Sequence, residues 1–327
     1  MILKIIFSFA ASIIKYFLFF FFIDGSAIAE KEVKYYPGDH GVVSIMYHRF
    51  DENKYPSTNI KVDIFKKQLE LIKESNIEYY DPGKFDNEFY NPKKNHKILI
   101  TIDDAFSSFY ENAWPILKDK KIPFILFVST EPVGKSGYMN WEQIKEISSY
   151  DFAYIGNHSH SHEYLLEYSY IEFEKDIKNS IKIFDEKLGY NPIFFSYPFG
   201  EYNLKQTEFI KNNFKYGFGQ HSGVIDLTKN KFELPRFPIN EKYGDLERFK
   251  FILKLFPIPY KSLNPKDKFV SKKQNPPTVE INFFDEQKNI KNINCFSNEG
   301  NQWRNPIMKF KKSALEINFR EKFTFRR

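Results

Sequence analysis

Apolar residues along the chain follow two alternating patterns, and each pattern predicts a different kind of element. Short continuous apolar runs are typical of buried strands, whereas apolar residues that recur every three or four positions indicate amphipathic helices. The runs predict strands at 42–47, 97–102, 124–128, 152–155, 194–197 and 216–219, and the repeats predict helices at 62–75, 108–118, 141–148, 169–188 and 204–213. Strand and helix alternate with short connections, which predicts an α/β fold whose parallel sheet closes into a barrel.

The pattern changes after Pro257. The stretch 256–277 holds five prolines and many lysines, and only short strand-like pieces follow it. We therefore predict a barrel over 41–260, a linker over 261–274 and a small β-rich appendage over 275–327. The sequence ends without an obvious closing turn, which leaves the completeness of the appendage open.

The first 29 residues are predicted to be a secretory signal. Lys4 precedes an apolar stretch over 5–23 that Lys15 interrupts, and the small residues Ala27 and Ala29 fit cleavage after position 29. A retained membrane anchor is the alternative, because the two apolar runs together approach spanning length. We expect export to the periplasm or cell envelope, with a polar linker over 30–40 and with association with the membrane or envelope left open.

Charge and cysteine content narrow the chemistry. The formal net charge of +6 is modest and spread out, and the chain has no basic helix, zinc finger or RNA-binding signature, so nucleic acid is not an expected partner. Cys295 is the only cysteine of the sequence, which rules out an internal disulfide. A metal site in this chain must therefore use nitrogen and oxygen ligands.

Two of the predicted strands end in residues that can hold a metal ion. Asp103 and Asp104 follow one strand, and His158, His160 and His162 follow another. Because parallel strands place their carboxyl ends at one edge of a sheet, two histidines and one carboxylate could bind one divalent ion there, with the second carboxylate left as a base. The alternatives are an aspartate that caps the next helix and a solvated loop of histidines.

With these motifs in place, the sequence resembles the polysaccharide deacetylases of the carbohydrate esterase family 4, or NodB-homology, type. The segments 101–104, 158–162 and 195–200 resemble the first three motifs of that family, and 234–236 resembles a later one. The resemblance covers roughly residues 40–260. It is closer to the poly-N-acetylglucosamine deacetylase branch, in which an early strand ends in Tyr-His, as it does here at 47–48.

The resemblance implies a fold, a metal site and a reaction. The fold would be a distorted (β/α) barrel with the small β-rich appendage attached. Asp104, His158 and His162 would hold one divalent metal ion, with zinc as the default and nickel, cobalt or iron also compatible. Asp103 would act as general base, and His48 would protonate the departing amine as general acid.

Further residues are implied around this centre. The backbone N–H of Phe199 would stabilise the oxyanion, and Tyr197 would lie on the substrate side of the same motif. His221 would shape the substrate groove, or compete with His48 for the acid role. Trp141 would stack on a sugar ring, the alternative being that it packs against the core.

One position departs from the family pattern. Many members carry an arginine at the start of the third motif, where it orients the catalytic base, but Ser196 occupies that position here. Arg236 is our candidate for the missing arginine.

The predicted function is metal-dependent removal of N-acetyl groups from amino sugars in an acetylated polysaccharide. An O-acetyl polysaccharide esterase would use the same metal site, and a catalytically inactive carbohydrate-binding barrel would keep only the fold. The sequence predicts neither the identity of the polysaccharide nor the oligomeric state.

Overall fold

The computed structural model describes residues 40–93, 96–284 and 290–324. The predicted signal, 1–29, lies outside the described residues, as does the predicted linker 30–40 except for its last residue. In the described part of the chain, no helix is both long and apolar enough to cross a membrane.

The elements alternate along the first two thirds of the described chain and are mainly strands thereafter. The helices are α1 (Val62–Glu74), α2 (Phe85–Glu88), α3 (Trp114–Lys120), α4 (Trp141–Ser148), α5 (Tyr170–Leu188), α6 (Leu204–Asn213) and α7 (Leu246–Ile252). The strands are β1 (Gly41–Tyr47), β2 (Arg49–Phe50), β3 (Asn59–Ile60), β4 (Glu78–Tyr79), β5 (His96–Ile102), β6 (Phe124–Val128), β7 (Ala153–Asn157), β8 (Phe194–Ser196), β9 (Tyr216–Phe218), β10 (Val224–Ile225), β11 (Phe237–Pro238), β12 (Ser262–Asn264), β13 (Thr278–Asn282), β14 (Ser297–Glu299), β15 (Gln302–Arg304), β16 (Ile307–Phe310) and β17 (Ala314–Asn318).

The main sheet has the order β10-β1-β5-β6-β7-β8-β9, with β4 paired to β5 and β11 paired to β1. Its pairs are parallel except for the pair between β1 and β10. The sheet is strongly curled into a half-barrel with helices on its outer face. This confirms the predicted α/β class.

The alternation of side chains along β5 divides the core into two layers. Ile98, Ile100 and Ile102 belong to the cluster that packs against the helices, whereas Leu99 belongs to an inner cluster with Phe127 of β6. Because strand side chains alternate between the two faces, the odd-numbered positions after Leu99 also point into the half-barrel. The strand therefore directs Asp103 inward.

The segment 231–238 forms backbone hydrogen bonds with both β9 and β1, which lie toward opposite ends of the main sheet. Leu234 donates its backbone N–H to Gly217 O beside β9 (2.9 Å), and further along β11 pairs in parallel with β1. Arg236 lies between the residue that pairs with β9, Leu234, and the strand that pairs with β1, β11.

Local sequence explains where three of the helices begin. Helices α4, α5 and α6 each start at a capping box, in which a cap side chain and the residue three positions later satisfy each other's backbone N–H groups. These pairs are Asn140 with Gln143, Ser169 with Glu172, and Asn203 with Gln206. The predicted helix 108–118 is instead split into a π-helical turn, Phe109–Ala113, and α3. Pro115 has no N–H to continue a regular α-helical ladder at this point.

The C-terminal part forms a separate antiparallel sheet of order β12-β13-β17-β16, with β14 and β15 as a hairpin. We call residues 262–324 the appendage. Its core is formed by Phe283, Leu315 and Ile317. The predicted linker 261–274 contains β12, so the connection to the barrel is shorter than expected. Strand β12 has only three residues and forms by pairing with β13, so the sequence contains no apolar run that would predict it.

Candidate metal centre and active site

The candidate site lies at the carboxyl edge of three adjacent strands. Asp103 and Asp104 directly follow β5, and His158 directly follows β7. Strand β6 lies between them, and Ser129, just after it, donates its hydroxyl to His158 O (2.8 Å). Parallel pairing therefore brings together residues that are more than fifty positions apart.

Three side chains at this edge are arranged as metal ligands. One ligand atom from each of Asp104, His158 and His162 lies within 4.8 Å of the other two. Asp104 Oδ1 is 3.1 Å from His162 Nε2 and 3.5 Å from His158 Nε2. Two imidazoles and one carboxylate, with space left for water and substrate, are the ligand set of many catalytic zinc sites.

The protein leaves part of this ligand set unsatisfied. Asp104 Oδ1 and His158 Nε2 are buried, and neither has a hydrogen-bond partner of good geometry. Buried polar atoms are normally paired, so two unpaired atoms 3.5 Å apart fit a site made for an ion.

The histidines differ in protonation. Burial lowers the pKa of His158 to about 4, so this imidazole is neutral near pH 7. Its Nδ1 hydrogen-bonds to Ser196 O (2.7 Å), which leaves the lone pair of Nε2 for a metal. Burial also acts to lower the pKa of His162, but the Asp104 carboxylate outweighs it and raises that pKa above its ordinary value. A metal ion bound here would displace the proton from His162.

Asp103 is fully buried beside this cluster and is held by Arg236. Arg236 Nη1 and Nη2 donate to the two carboxylate oxygens at 2.6 and 2.9 Å. Asp103 Oδ2 is also 3.7 Å from His158 Nε2, which places the carboxylate next to the ligands. Burial alone raises the pKa of Asp103, but the charge of Arg236 and its hydrogen bonds bring the net pKa below the ordinary value.

Arg236 uses all five of its N–H groups. Besides the two bonds to Asp103, Nε donates to Gly219 O (2.9 Å), Nη1 to Thr101 Oγ1 (3.2 Å) and Nη2 to Ser196 Oγ (2.8 Å). The guanidinium thus contacts Ser196, the position where many family members carry their arginine. The structure places Arg236, the candidate replacement, in contact with Asp103.

Helix α5 supports the histidine loop, and sequence reasoning missed this. Asp176, on the buried face of α5, accepts the backbone N–H groups of His160 (2.8 Å) and Ser161 (3.0 Å). The available signal was a carboxylate within the apolar stripe of the helix. His160 itself is hydrogen-bonded through Nδ1 to Thr130 Oγ1 (2.8 Å), so it is not one of the three clustered ligands.

The backbone is strained at this edge. Ten described residues other than glycine have positive φ, and five of them lie here, namely Asp104, Ala105, Ser159, His162 and Phe199. Such conformations persist only where the surrounding structure enforces them, and they cluster at functional sites. The strain is a second sign, independent of the ligand set, that this edge is functional.

His48 and His221 are placed differently. His48 directly follows β1, and its charge is among those that lower the pKa of both Asp103 and Asp104. His221 is exposed and lines a cavity between the barrel and the appendage. His48, unlike His221, therefore contributes to the electrostatic environment of the two aspartates.

Of the aromatic candidates, Phe199 lies beside the site and Tyr197 is buried in the core. The ring of Phe199 is 5.0 Å from that of His162 and is stacked on Tyr164 at 3.9 Å. Tyr197 is only 1% exposed and packs against Phe195 in the core, so its side chain cannot contact a sugar. Assigning the side chain of Tyr197 to the substrate side was wrong, because it points into the core on the same side as Phe195.

Trp141 contributes to packing between helices. Its ring meets that of Phe184 on α5 edge-on, with 5.8 Å between the ring centroids, and the residue packs against the core that includes Phe184. This is the alternative that the sequence left open for Trp141.

Comparisons with known proteins agree with the fold and the motifs. The sequence profile described as polysaccharide deacetylase matches residues 90–216. The poly-β-1,6-N-acetyl-D-glucosamine N-deacetylase of Staphylococcus aureus is 25% identical over 257 residues, which cover 67% of this chain and 87% of that protein. Two solved structures, the Streptococcus pyogenes deacetylase PplD in complex with acetate and IcaB from Ammonifex degensii, each superpose with a TM-score of 0.59 at 23% identity, over 67% of this chain and 99% of theirs.

Proposed function

This chain belongs to the polysaccharide deacetylase family, and from that premise we propose that it removes N-acetyl groups from the amino sugars of a polysaccharide with the help of one divalent metal ion. The observation that carries the proposal is the buried Asp103–Arg236 pair beside a cluster of Asp104, His158 and His162 with unpaired ligand atoms. The name of the Staphylococcus aureus relative supports an N-acetylglucosamine polymer as the first substrate to test.

The three clustered residues are the proposed metal ligands. A divalent ion held there would polarise the acetyl carbonyl and lower the pKa of a water molecule. Nitrogen and oxygen ligands favour zinc first, with nickel, cobalt and iron as further choices to test.

Asp103 is the proposed general base. Its lowered pKa keeps the carboxylate ionised near neutral pH, where it can accept a proton from the attacking water. Arg236 fixes both carboxylate oxygens, so the base is held in one orientation. In this scheme Arg236 acts by positioning Asp103.

His48 and Phe199 complete the proposed reaction. The water oxygen forms a bond to the acetyl carbon, the carbon–nitrogen bond breaks, and acetate and a free amine are the products. His48 donates the proton that the leaving nitrogen requires, since an amide anion is a very poor leaving group. The backbone N–H of Phe199 donates to the oxygen that becomes negatively charged during attack.

The test of this function compares two kinds of acetyl group. Purified protein is incubated with N-acetylglucosamine oligomers and with an O-acetylated glycan, and released acetate is measured. We expect release from the N-acetylated oligomers. Acetate release only from the O-acetylated glycan would show that the protein is an esterase and not an N-deacetylase. Binding of oligomers without acetate release from either substrate would favour an inactive carbohydrate-binding barrel.

We also propose that the protein is exported by way of residues 1–29. The apolar stretch and the small residues before position 30 support this. The mass of the protein recovered from the cell envelope is expected to correspond to a chain that begins at Glu30. Full-length protein in the membrane fraction would favour the retained anchor, and full-length protein in the cytoplasm would contradict export.

A further inference from the structure

A cavity of about 460 Å³ lies between the barrel and the appendage. The barrel contributes Gly200, Tyr202 and His221 to its wall, and the appendage contributes Phe269 and Phe323 among others. The end of the described chain is tied to this place by Asn275, whose side chain donates to Phe323 O (2.7 Å) and accepts from Phe323 N–H (2.8 Å). The appendage therefore forms one side of a defined cavity.

This cavity adjoins the candidate active site through segments that carry site residues. Gly200 directly follows Phe199, whose ring packs against His162. His221 accepts the backbone N–H of Arg236 (3.0 Å), while Arg236 holds Asp103 with its side chain. The cavity wall thus contains one residue bonded to Phe199 and another hydrogen-bonded to Arg236.

The chemistry of the wall suits an uncharged sugar. Phe269 is 41% exposed and is the exposed ring of the wall, Tyr202 is only 7% exposed, and Thr324 supplies a polar group. Apolar and aromatic walls with a few polar groups are usual for small-molecule sites of roughly 300–1,000 Å³. Lys268 and Glu201 also line the cavity, and Glu233 Oε2 lies 3.2 Å from the ammonium group of Lys268. The wall therefore carries charges of both signs and does not select an anionic ligand.

About a third of this chain has no counterpart in the two solved structures. Those structures cover 67% of this chain, which is about the share that residues 40–260 make up. They also match over 99% of their own lengths, so a whole chain of that kind corresponds to no more than this share of the present chain.

We propose that this cavity is a binding subsite for sugar units next to the one that is deacetylated, and that the appendage thereby gives the enzyme a preference for longer chains. The inference rests on the proposed function, because the occupant is the same N-acetylated polysaccharide. A hexasaccharide bound at the reacting position has further sugar units to place in the cavity, whereas a disaccharide has at most one.

The test uses the full chain with the substitution Phe269→Ala, which removes an exposed ring of the wall. Binding of N-acetylglucosamine disaccharide and hexasaccharide is measured by calorimetry with chelator present, and KM and kcat are measured with metal. We expect hexasaccharide affinity to fall about tenfold and its KM to rise by a similar factor, as for loss of one aromatic contact, with kcat and the disaccharide values unchanged.

Two further variants make the result specific. Trp303→Ala removes another exposed aromatic of the appendage, 75% exposed and outside the cavity, and should behave as wild type. Thr324→Trp fills the cavity from its rim and should weaken hexasaccharide binding as Phe269→Ala does.

The outcomes separate the subsite from the reaction. Wild-type hexasaccharide affinity in both Phe269→Ala and Thr324→Trp, or no binding of either oligomer by the wild-type protein, would overturn the subsite. Weaker hexasaccharide binding by both variants, in a protein that releases no acetate, would uphold the subsite while the proposed deacetylation failed.

Discussion

Asp103 carries a negative charge in the interior, and its nearest compensating charge is the guanidinium of Arg236. Burial of an unpaired carboxylate costs free energy. A bidentate ion pair with additional hydrogen bonds offsets that cost, so Asp103 can remain ionised in the interior. The lowered pKa of Asp103 contributes stability above the ordinary carboxyl range, and this contribution is lost as the pH falls through the pKa of the folded state.

Substitution of Arg236 by Met tests this pairing. Burial then acts on Asp103 without the opposing charge, so its pKa should rise and the acidic limb of the kcat/KM profile should move to higher pH. The free energy of unfolding should fall by about 3–5 kcal/mol, because one partner of a buried pair is removed. Ser196→Ala is the control, since it removes one hydrogen bond from the guanidinium and no charge. An acidic limb that stays in place in Arg236→Met would contradict the assigned role.

The histidine loop offers a matched pair of substitutions. His162 is one of the clustered ligands, whereas His160 is hydrogen-bonded to Thr130. We expect His162→Gln to lower zinc affinity by more than about a hundredfold, which exceeds the usual effect of losing a residue that only hydrogen-bonds a ligand. His160→Gln should leave zinc affinity nearly unchanged. Competition with a chelating dye measures both. Equal losses in the two variants would mean that the loop as a whole, and not His162, determines affinity.

The residues of the site differed in how visible they were in the sequence. The ligand residues were visible because Asp104 and His158 come at the ends of apolar runs and His162 follows in the same loop as His158. Arg236 was identified from the motif at 234–236. The sequence did not show how it reaches Asp103, which depends on the pairing of segment 231–238 with β9 and β1. Tyr197 was misassigned because proximity in sequence to Phe199 says nothing about which face of a strand a side chain occupies.

Helix α5 is the clearest case of an element whose role extends beyond packing. Its apolar stripe predicted a structural helix, and the structure adds that Asp176 fixes two backbone N–H groups of the histidine loop. Asp176→Ala should therefore lower zinc affinity about 10–100-fold while the ligands themselves remain. Asp185→Ala, an exposed carboxylate on the same helix, is the control and should have no effect. Unchanged affinity in Asp176→Ala would show that the loop holds its shape without the helix.

Two glycines in left-handed conformations allow the turn after β8 to be tested. Gly200 has φ +70°, and a Cβ there would lie 2.4 Å from Gln220 N, whereas Gly189 has φ +79° and no atom within 4 Å of such a Cβ. Gly189→Ala should cost about 1–2 kcal/mol for the backbone conformation alone. Gly200→Ala should cost more and also reduce turnover, because it displaces the 219–221 segment that supports Arg236. Urea unfolding and acetate release measure the two effects, and equal destabilisation would argue against a close approach at Gly200.

At the scale of elements, the long periodic segments were predictable and the short ones were not. Helices α4, α5 and α6 agree closely with the predicted ranges because capping boxes and apolar stripes are local signals. Strands β10 and β11 have two residues each and are defined by their pairing with β1, so no local sequence pattern predicts them. The split of the predicted helix 108–118 depends on one proline within it.

At the scale of the whole molecule, the proposed centre joins strand ends that the curled sheet brings together. Asp104 comes from the end of β5, and the two histidines come from the loop after β7. An ion bound to all three would stabilise the folded state, since the unfolded chain does not hold these ligands in one place. The melting temperature is therefore expected to fall when the metal is removed.

Metal-dependent acetate release tests the central claim most directly. The full chain is assayed with N-acetylglucosamine oligomers as purified, after treatment with a chelator, and after addition of one equivalent of zinc, with metal content measured at each step. We expect release to stop when the metal is removed and to return with zinc. Release that continues at the same rate in protein shown to contain no metal would contradict the proposed role of Asp104, His158 and His162.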